Sequence, residues 1–169
     1  LRLSYSGQVL RVKGSQLRPE RQFGQAGIEL IGSNSAAADA EVVVLVAEAL
    51  SELGVAGVSV DLSLPTLVPA LFADLGLASE VSEAVRGAID HKDAAVVAAE
   101  GGRAAEMLLA LLKAVGPADR ALEVLGALAL PSAAAAERDR LAEVVALVRA
   151  AMPELTLTVD PVENRGFEY

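Results

Sequence analysis

The sequence predicts an α+β fold in which an antiparallel strand pair is combined with a group of helices. Apolar and polar residues alternate over residues 1–12 and 22–31, and this period of two is typical of strands. Residues 66–152 are almost all helical by their apolar spacing and helix propensity. The composition is 53% hydrophobic but only 3% aromatic, which favours helices closely packed through small side chains.

The first two strands form an antiparallel hairpin with a long loop between them. The loop covers residues 13–20, where Gly14, Ser15 and Pro19 interrupt the strand pattern and favour turns. Both strands therefore run to the same loop, and their side chains alternate between the two faces of the hairpin.

The second strand carries polar residues on a face where a half-buried strand has apolar ones. Gln25 and Glu29 lie on this face, and Gly27 stands between them. An amide and a carboxylate with no bulk between them can form the floor of a small polar pocket. The alternative is that this is the solvent side of an edge hairpin, since one face of an antiparallel sheet is often exposed. Three arginines are placed to close such a pocket: Arg11, Arg18 and Arg21.

The next element is a helix that begins at Ser35 and ends at Gly54. Ser35 is suited to cap the helix N-terminus, and Gly54 is suited to end it. Its apolar stripe is expected to lie across the sheet. A short strand follows at residues 58–62, with Val58, Val60 and Leu62 pointing inward.

The helical region is divided by glycines and prolines. Ser79, Asp90 and Ser132 are suited as N-caps, and Gly101-Gly102-Arg103 is interpreted as a flexible joint. A last strand at 155–160 places Leu157 and Val159 inward and Asp160 outward, where Asp160 is expected in a loop ion pair. The helices are expected at about 66–75, 79–89, 92–99, 103–115, 118–126 and 134–151.

Two short stretches carry a family resemblance. The first is Tyr5-x-Gly7-x-x-Leu10-Arg11, then Arg21-Gln22-Phe23-x-Gln25-x-Gly27-x-Glu29-x-x-Gly32, then Asp39-Ala40-Glu41. The second is Asn164-Arg165-Gly166-Phe167-Glu168-Tyr169. The first resembles motif 2 of class II aminoacyl-tRNA synthetases in its histidyl form, and the second resembles the histidine-specific Arg-Gly-(Leu/Phe)-(Asp/Glu)-Tyr motif. Together they most resemble the synthetase-like regulatory subunits of ATP phosphoribosyltransferase.

The resemblance implies an antiparallel sheet of class II aminoacyl-tRNA synthetase type with an inserted helical sub-domain. Residues 1–63 are then the synthetase-like core, residues 64–153 the helical insertion, and residues 154–169 the return strand with the histidine motif. Because the sequence begins inside a strand pattern and stops inside a motif, we expect a fragment of the full domain.

The resemblance also implies a histidine site. Arg11 matches the motif 2 arginine that binds the α-phosphate of ATP, and Arg21 matches a second arginine in the synthetase loop. A carboxylate suits ammonium and ring N–H groups, whereas an arginine suits a carboxylate. No metal or cofactor is expected. The positions that match histidine contacts of the synthetases are Gln25, Glu29, Arg165 and Tyr169.

Some positions depart from the synthetase pattern. A synthetase has Arg-x-Glu in motif 2, where the Glu contacts ATP, but this sequence has Lys13 at the Glu position. A lysine cannot accept the hydrogen bonds that a carboxylate accepts. Gly24 stands where the synthetase has a His, and residues 14–20 do not repeat the synthetase loop. Amino-acid activation is therefore expected to be lost and the histidine pocket kept.

By this resemblance the protein is a non-catalytic, cytoplasmic regulatory subunit. Its implied partners are the short-form ATP phosphoribosyltransferase catalytic subunit and L-histidine as effector, with a homodimer inside a hetero-oligomer. The resemblance implies that it activates the catalytic subunit and makes the first step of histidine biosynthesis histidine-sensitive. One alternative is a histidyl-tRNA synthetase catalytic core fragment, and another is a synthetase-like module that binds a different amino acid.

Charge and composition exclude several other classes. The net charge is −9, which argues against a nucleic-acid surface because phosphate neutralisation needs clustered Lys and Arg. The chain has no Cys, so disulfides and thiolate metal sites are excluded. No apolar run approaches the ~20 residues of a membrane span. His91 has no His or Cys neighbours in sequence and is interpreted as a solvated residue at a helix boundary.

Overall fold

The computed structural model describes residues 1–12, 19–76 and 79–163, apart from the side chains of residues 79–82. The centre of the first loop and the C-terminal motif lie outside this range. Several residues singled out in the sequence are therefore not described, namely Gly14 and Ser15 of the loop, Lys13, Arg18 and the motif at 164–169 with Arg165 and Tyr169.

The first two strands are confirmed as an antiparallel hairpin. Strand β1 is Arg2–Leu10 and strand β2 is Gln22–Leu30. Backbone bonds continue the pairing at both ends, from Ile31 N to Leu1 O at 2.8 Å and from Arg11 N to Arg21 O at 2.7 Å. None of the residues in either strand is buried. The hairpin is therefore held mainly by its own backbone ladder.

The remaining described elements are seven helices and three short strands. The helices are α1 (Ala36–Glu52), α2 (Leu67–Leu75), α3 (Ser79–Asp90), α4 (Ala94–Glu100), α5 (Ala105–Ala114), α6 (Ala118–Gly126) and α7 (Ser132–Ala151). A 3-10 turn at Gly102–Ala104 precedes α5. The strands are β3 (Ser59–Ser63), β4 (Gly116–Pro117) and β5 (Thr156–Asp160). We call these elements together the helical body.

The first helix begins and ends where its sequence predicts. The Ser35 hydroxyl accepts a hydrogen bond from Ala38 N at 3.2 Å, which satisfies a free N–H at the helix start. Gly54 follows the last turn with φ +78°, a conformation that is costly for other residues. Helix α1 packs along α7 and also contacts β2.

The three short strands form a second sheet, in the order β3-β5-β4. Strand β3 runs parallel to β5, with Ser59 opposite Thr156, whereas β4 pairs antiparallel to β5. Parallel strands need a long crossover connection, and helices α2 to α7 provide it. The two-residue strand β4 lies at Gly116–Pro117, where the sequence predicts only a break between helices.

One apolar core joins the helical body and runs from Ala36 to Val162. The inward positions of β5 are confirmed, since Leu157 and Val159 are buried. The division of the chain at residues 63/64 and 153/154 stays a prediction. Among the largest fully buried side chains are Leu67, Leu71, Ile89, Leu108, Leu111 and Leu125.

The ion pair expected for Asp160 is present, but the prediction that this residue points outward is wrong, because its side chain is buried. Its carboxylate pairs with Lys92 Nζ and accepts a hydrogen bond from Val162 N at 3.2 Å. Lys92 adopts φ +55° just after α3, and its side chain reaches Asp160 on β5. Burial of the carboxylate is tolerated because it is both paired and hydrogen-bonded.

Two predicted N-caps are also wrong. Asp90 is the last residue of α3, and Asp93 caps α4 by accepting from Ala95 N and Val96 N at 3.0 and 3.1 Å. Pro131 takes the cap position of α7, while Ser132 is already helical. A third predicted N-cap, Ser79, is wrong for the same reason as Ser132, because Ser79 is already the first helical residue of α3.

The Gly101 segment is a closely packed junction rather than a flexible joint. Gly101 is buried at the end of α4, and a Cβ added to it would lie 2.9 Å from the Cα of Ala105. Only glycine therefore fits where α4 and α5 meet.

Candidate functional site

The pairing register brings four candidate residues onto one face of the hairpin. Directly opposed residues of an antiparallel pair share a face, and Gln25 lies opposite Gly7 while Glu29 lies opposite Leu3. Arg11 and Arg21 are paired at the loop end and continue the same alternation. We call this surface the candidate face. It comprises Leu3, Tyr5, Gly7, Val9 and Arg11 with Arg21, Phe23, Gln25, Gly27 and Glu29.

Tyr5 occupies the centre of the candidate face. Gln25 Nε2 donates a hydrogen bond to the Tyr5 hydroxyl at 3.1 Å. A Cβ added at Gly27 would lie 2.9 Å from Tyr5 Cε1, and closer still to Cζ and the hydroxyl oxygen. The ring therefore lies across Gly27, between Gln25 and Glu29. The prediction that no bulk separates these two side chains is wrong, because a residue of the opposite strand fills the gap.

The two arginines lie at the loop end of the candidate face. Arg21 Nε donates to the carbonyl oxygen of Arg11 at 3.2 Å. The Arg11 Cζ lies 5.0 Å from the centroid of the Phe23 ring, within the range of a cation–π contact. Phe23 holds the Arg11 guanidinium at that end, so Arg11 does not cover Gln25 or Glu29. The two arginines offer adjacent positive charge for an anion.

The candidate face is open to solvent in the part of the chain that the structure describes. Gln25 and Glu29 are exposed, and Tyr5 keeps 44% of its accessible surface. In the described ranges the Glu29 carboxylate has no ion-pair or hydrogen-bond partner. The face is thus a set of aligned polar groups rather than an enclosed pocket, and its carboxylate is available to a ligand.

The opposite face of the hairpin looks toward α1. Arg2 Nη2 donates to Glu41 Oε2 at 2.7 Å. This hydrogen bond, with the attraction between the charges, lowers the pKa of the Glu41 carboxyl and raises that of Arg2. Between the two elements lies an open cleft of about 710 Å³, which is lined mainly by apolar atoms. Its walls include Ser4, Ser6, Ala26, Ile28, Leu45 and Val46.

Sequence reasoning missed Tyr5 as part of the site, although it lies within the motif. The signal was present, because the hairpin register places an aromatic residue directly opposite Gly27. An aromatic ring commonly covers a cross-strand glycine. The proposed contacts Arg165 and Tyr169 lie outside the described residues, so their approach to this face stays a prediction.

Away from the hairpin, His91 is an exposed residue in the turn after α3. Within residues 1–12, 19–76 and 79–163, no three His, Cys, Asp or Glu side chains come together as a metal site. In the same part of the chain, no helix combines the length and hydropathy needed to cross a bilayer.

Comparison with known proteins agrees with the motif resemblance. The family model for histidyl-tRNA synthetase matches residues 1–169. The chain is 71% identical over 169 residues to the ATP phosphoribosyltransferase regulatory subunit of Paramagnetospirillum magneticum, and 56% identical to that of Rhodospirillum centenum. These matches cover all of this chain but 45% and 44% of the two relatives. The chain thus spans less than half the length of these curated relatives.

Solved structures share the fold at lower sequence identity. A Bacillus halodurans protein described as an ATP phosphoribosyltransferase regulatory subunit/histidyl-tRNA synthetase superposes with a TM-score of 0.79 at 23% identity, over 96% of this chain and 44% of that one. A chain of the ATP phosphoribosyl transferase (HisG:HisZ) complex from Thermotoga maritima gives 0.74 at 19% identity, over 98% of this chain and 58% of that one. The mixed helix and sheet fold of class II synthetase type is therefore confirmed. The chain belongs to the histidyl-tRNA synthetase family, and within it the chain is similar to the ATP phosphoribosyltransferase regulatory subunits.

Proposed function

We propose that this protein is a non-catalytic regulatory subunit of ATP phosphoribosyltransferase. The observation that carries the proposal is the 71% identity, over all 169 residues, with a relative that bears this name. The protein would activate the short-form catalytic subunit and make the first step of histidine biosynthesis sensitive to histidine, in the cytoplasm. The Thermotoga maritima neighbour, a HisG:HisZ complex of ATP phosphoribosyl transferase, supports a pairing of this kind.

The candidate face supports histidine as the effector. Gln25 and Glu29 project from the same face, and both carry oxygen atoms that accept hydrogen bonds. Histidine offers an ammonium group and a ring N–H as donors, which match these acceptors. Its carboxylate is suited to an arginine, and Arg165 of the C-terminal motif is proposed for that role. Closure of the site by Arg165 and Tyr169 is part of the same proposal.

Regulation requires a coupling between two sites. Histidine at the candidate face and the catalytic subunit elsewhere must each favour one of two arrangements of the assembly. We infer that histidine bound at the hairpin changes how the catalytic subunit is held within a hetero-oligomer built on a homodimer. Lys13 in place of the motif 2 glutamate supports the loss of amino-acid activation, because a lysine cannot accept the hydrogen bonds that this glutamate accepts from ATP.

The second candidate function is the catalytic core of a histidyl-tRNA synthetase. The description of the matching family model favours it, as does the double description of the Bacillus halodurans protein. Arg11 and Arg21, which lie together at the hairpin end, would then bind the phosphates of ATP. The two functions differ in their need for ATP.

The deciding experiment is a calorimetric titration of histidine into the complete gene product, with and without ATP. The variants are wild type, Glu29→Ala and, as a matched control, Glu48→Ala, which removes an exposed carboxylate on α1. We expect histidine to bind without ATP, to lose at least tenfold in affinity in Glu29→Ala, and to be unchanged in Glu48→Ala. A hydrogen bond to a charged group contributes about 1.5–3 kcal/mol, and 1.4 kcal/mol is tenfold.

A second assay adds the purified short catalytic subunit and follows its activity as histidine is raised. We expect activation by this protein and its reversal by histidine. Histidine-dependent exchange between ATP and pyrophosphate would instead identify a synthetase. Absence of histidine binding, alone and with the catalytic subunit, would favour a synthetase-like module for another amino acid.

A further inference from the structure

We propose that Tyr5 is a positioning residue of the histidine site, which orients the Gln25 amide so that its oxygen faces the ligand. The inference rests on the proposed function, because it assumes that Gln25 contacts histidine. It assigns to β1 a role that the motif resemblance gave only to β2.

The hydrogen bond between the two side chains fixes which groups remain free. Gln25 Nε2 donates to the Tyr5 hydroxyl at 3.1 Å, so one N–H of the amide is used inside the protein. The amide oxygen keeps its capacity to accept, and the hydroxyl hydrogen keeps its capacity to donate. The pair therefore presents one acceptor and one donor side by side. Without Tyr5 the exposed Gln25 side chain would adopt several rotamers.

Gly27 leaves the space that the Tyr5 ring needs to reach this position. The ring crosses to β2 over Gly27, where any Cβ would meet it at 2.9 Å or less. The other two glycines of the strands have no such neighbour. A Cβ at Gly24 would meet only Gln8 Nε2 at 3.9 Å, and a Cβ at Gly7 would meet no atom within 4 Å. Glycine is therefore needed at residue 27 to leave room for the Tyr5 ring. The backbone conformation does not require glycine there, because φ of Gly27 is not positive.

The arrangement also explains how two distant residues form one site. Gln25 and Glu29 are four residues apart on a strand, roughly 13 Å at about 3.3 Å per residue. The Tyr5 hydroxyl lies over Gly27, between them. Its free O–H offers a donor at the centre of a face whose other ligand-facing groups, Gln25 Oε1 and the Glu29 carboxylate, are acceptors. Such a face suits a ligand that carries both donors and an acceptor, as neutral imidazole does.

The test is a double-mutant cycle on histidine affinity in the complete gene product, with Tyr5→Phe, Gln25→Ala and both together. Tyr5→Phe removes only the hydroxyl. We expect it to weaken histidine binding about three- to tenfold, because an ordered side chain costs about 0.5–1.5 kcal/mol on binding. If Tyr5 acts through Gln25, Tyr5→Phe should have a clearly smaller effect in the Gln25→Ala background, where only the direct contact of the hydroxyl with the ligand is left to lose. An equal loss in both backgrounds, or no loss in either, would overturn the positioning role.

A measurement without ligand separates this proposal from the proposed function. The side-chain amide protons of Gln25, followed by NMR in the ligand-free protein, should move toward the position of a solvent-exposed amide in Tyr5→Phe. The amide of Gln22 is a matched control, because its Nε2 faces Gln8 Oε1 at 3.5 Å on the opposite face, and it should not move. If the wild-type protein does not bind histidine, the proposed function is wrong. The NMR spectrum alone then decides whether Tyr5 positions the Gln25 amide. An unmoved Gln25 resonance would then overturn the positioning role as well.

Discussion

The hairpin and the helical body differ in how much of their apolar surface is buried, and therefore in what stabilises them. Every residue of β1 and β2 keeps at least part of its surface exposed, including Leu3 at 44% and Leu10 at 75%. In the helical body, by contrast, Leu71, Leu108 and Leu111 are wholly enclosed. Apolar burial is the main stabilising term in folding, so the body supplies the stability while the hairpin supplies the candidate face. Substitutions in the two regions should therefore separate effects on stability from effects on binding.

The largest difference is expected between buried and exposed leucines. Leu111→Ala removes a side chain with 0% exposure and should lower the free energy of unfolding by about 2–5 kcal/mol through lost burial and a new cavity. Leu3→Ala, on the exposed candidate face, should cost less than about 1 kcal/mol. Denaturant unfolding with an unchanged m-value measures both. Equal losses would show that the hairpin shares the core of the body.

The buried carboxylate of β5 gives the next effect. Asp160→Ala leaves Val162 N without its acceptor in a buried position and removes the partner of Lys92, which should cost about 1–3 kcal/mol. The matched control is Asp61→Ala on β3, an exposed residue that accepts from Thr158 Oγ1 at 2.7 Å. Its loss should be about 0.5 kcal/mol, because water replaces that bond. A control as costly as Asp160→Ala would contradict the importance of burial.

The hairpin should show the reverse pattern, in which binding changes more than stability. Gly27→Ala forces the Tyr5 ring away from its place, so histidine affinity should fall about tenfold while the free energy of unfolding changes by less than about 1 kcal/mol. Gly24→Ala is the matched control. It introduces the same Cβ at a position where the nearest atom, Gln8 Nε2, lies at an ordinary contact distance of 3.9 Å. Calorimetry and thermal unfolding on both variants compare the two effects. Equal affinities in the two variants would refute a role for the Gly27 site.

The smallest effect concerns the Arg2–Glu41 pair, which connects the hairpin to α1. The hydrogen bond from Arg2 lowers the pKa of Glu41 below its ordinary value near 4.5. Its contribution is therefore complete above that value and is lost as the pH falls through the lower pKa of the folded state. We expect faster hydrogen exchange of hairpin amides below that pH, and the same in Glu41→Gln at neutral pH.

A comparable pair in the helical body provides the control. Arg149 lowers the pKa of Asp119 by the same kind of hydrogen bond, but helices α6 and α7 also share buried side chains such as Leu125 and Val148. Acidification should therefore leave their exchange almost unchanged. Equal sensitivity of the two regions would mean that the pairs, rather than the apolar contacts, hold the helices.

The sequence predicted the elements well where local signals dominate. Ser35 and Gly54 located α1, because a cap and a left-handed glycine act within one turn. Prediction failed where a distant partner decides. Asp160 is buried because Lys92, 68 residues away, reaches it, and no local pattern contains that information. Gly116–Pro117 pairs as β4 only because β5 lies beside it.

The candidate face was predicted only in part, again because one of its residues comes from a distant segment of the chain. Alternation along β2 put Gln25 and Glu29 together, and the register confirms that they share a face. The ring of Tyr5 comes from the other strand, so its place over Gly27 depends on the exact pairing and on the rotamer that the ring adopts. Arg165 and Tyr169, which are matched by resemblance, lie outside the described residues, and their contacts stay predictions.

The parallel pairing of β3 with β5 has a consequence for the order of folding. Asp61 and Thr158 are hydrogen-bonded although they lie 97 positions apart in the sequence. Their strands must therefore close a very long loop before any contact between them can offset the entropy cost. Helices α2 to α7 rely on nearer contacts and should form earlier. Pulse-labelled hydrogen exchange should then protect helix amides before those of β5. Strand β5 would therefore take its place last, so the second sheet would be completed only after helices α2 to α7 have packed together.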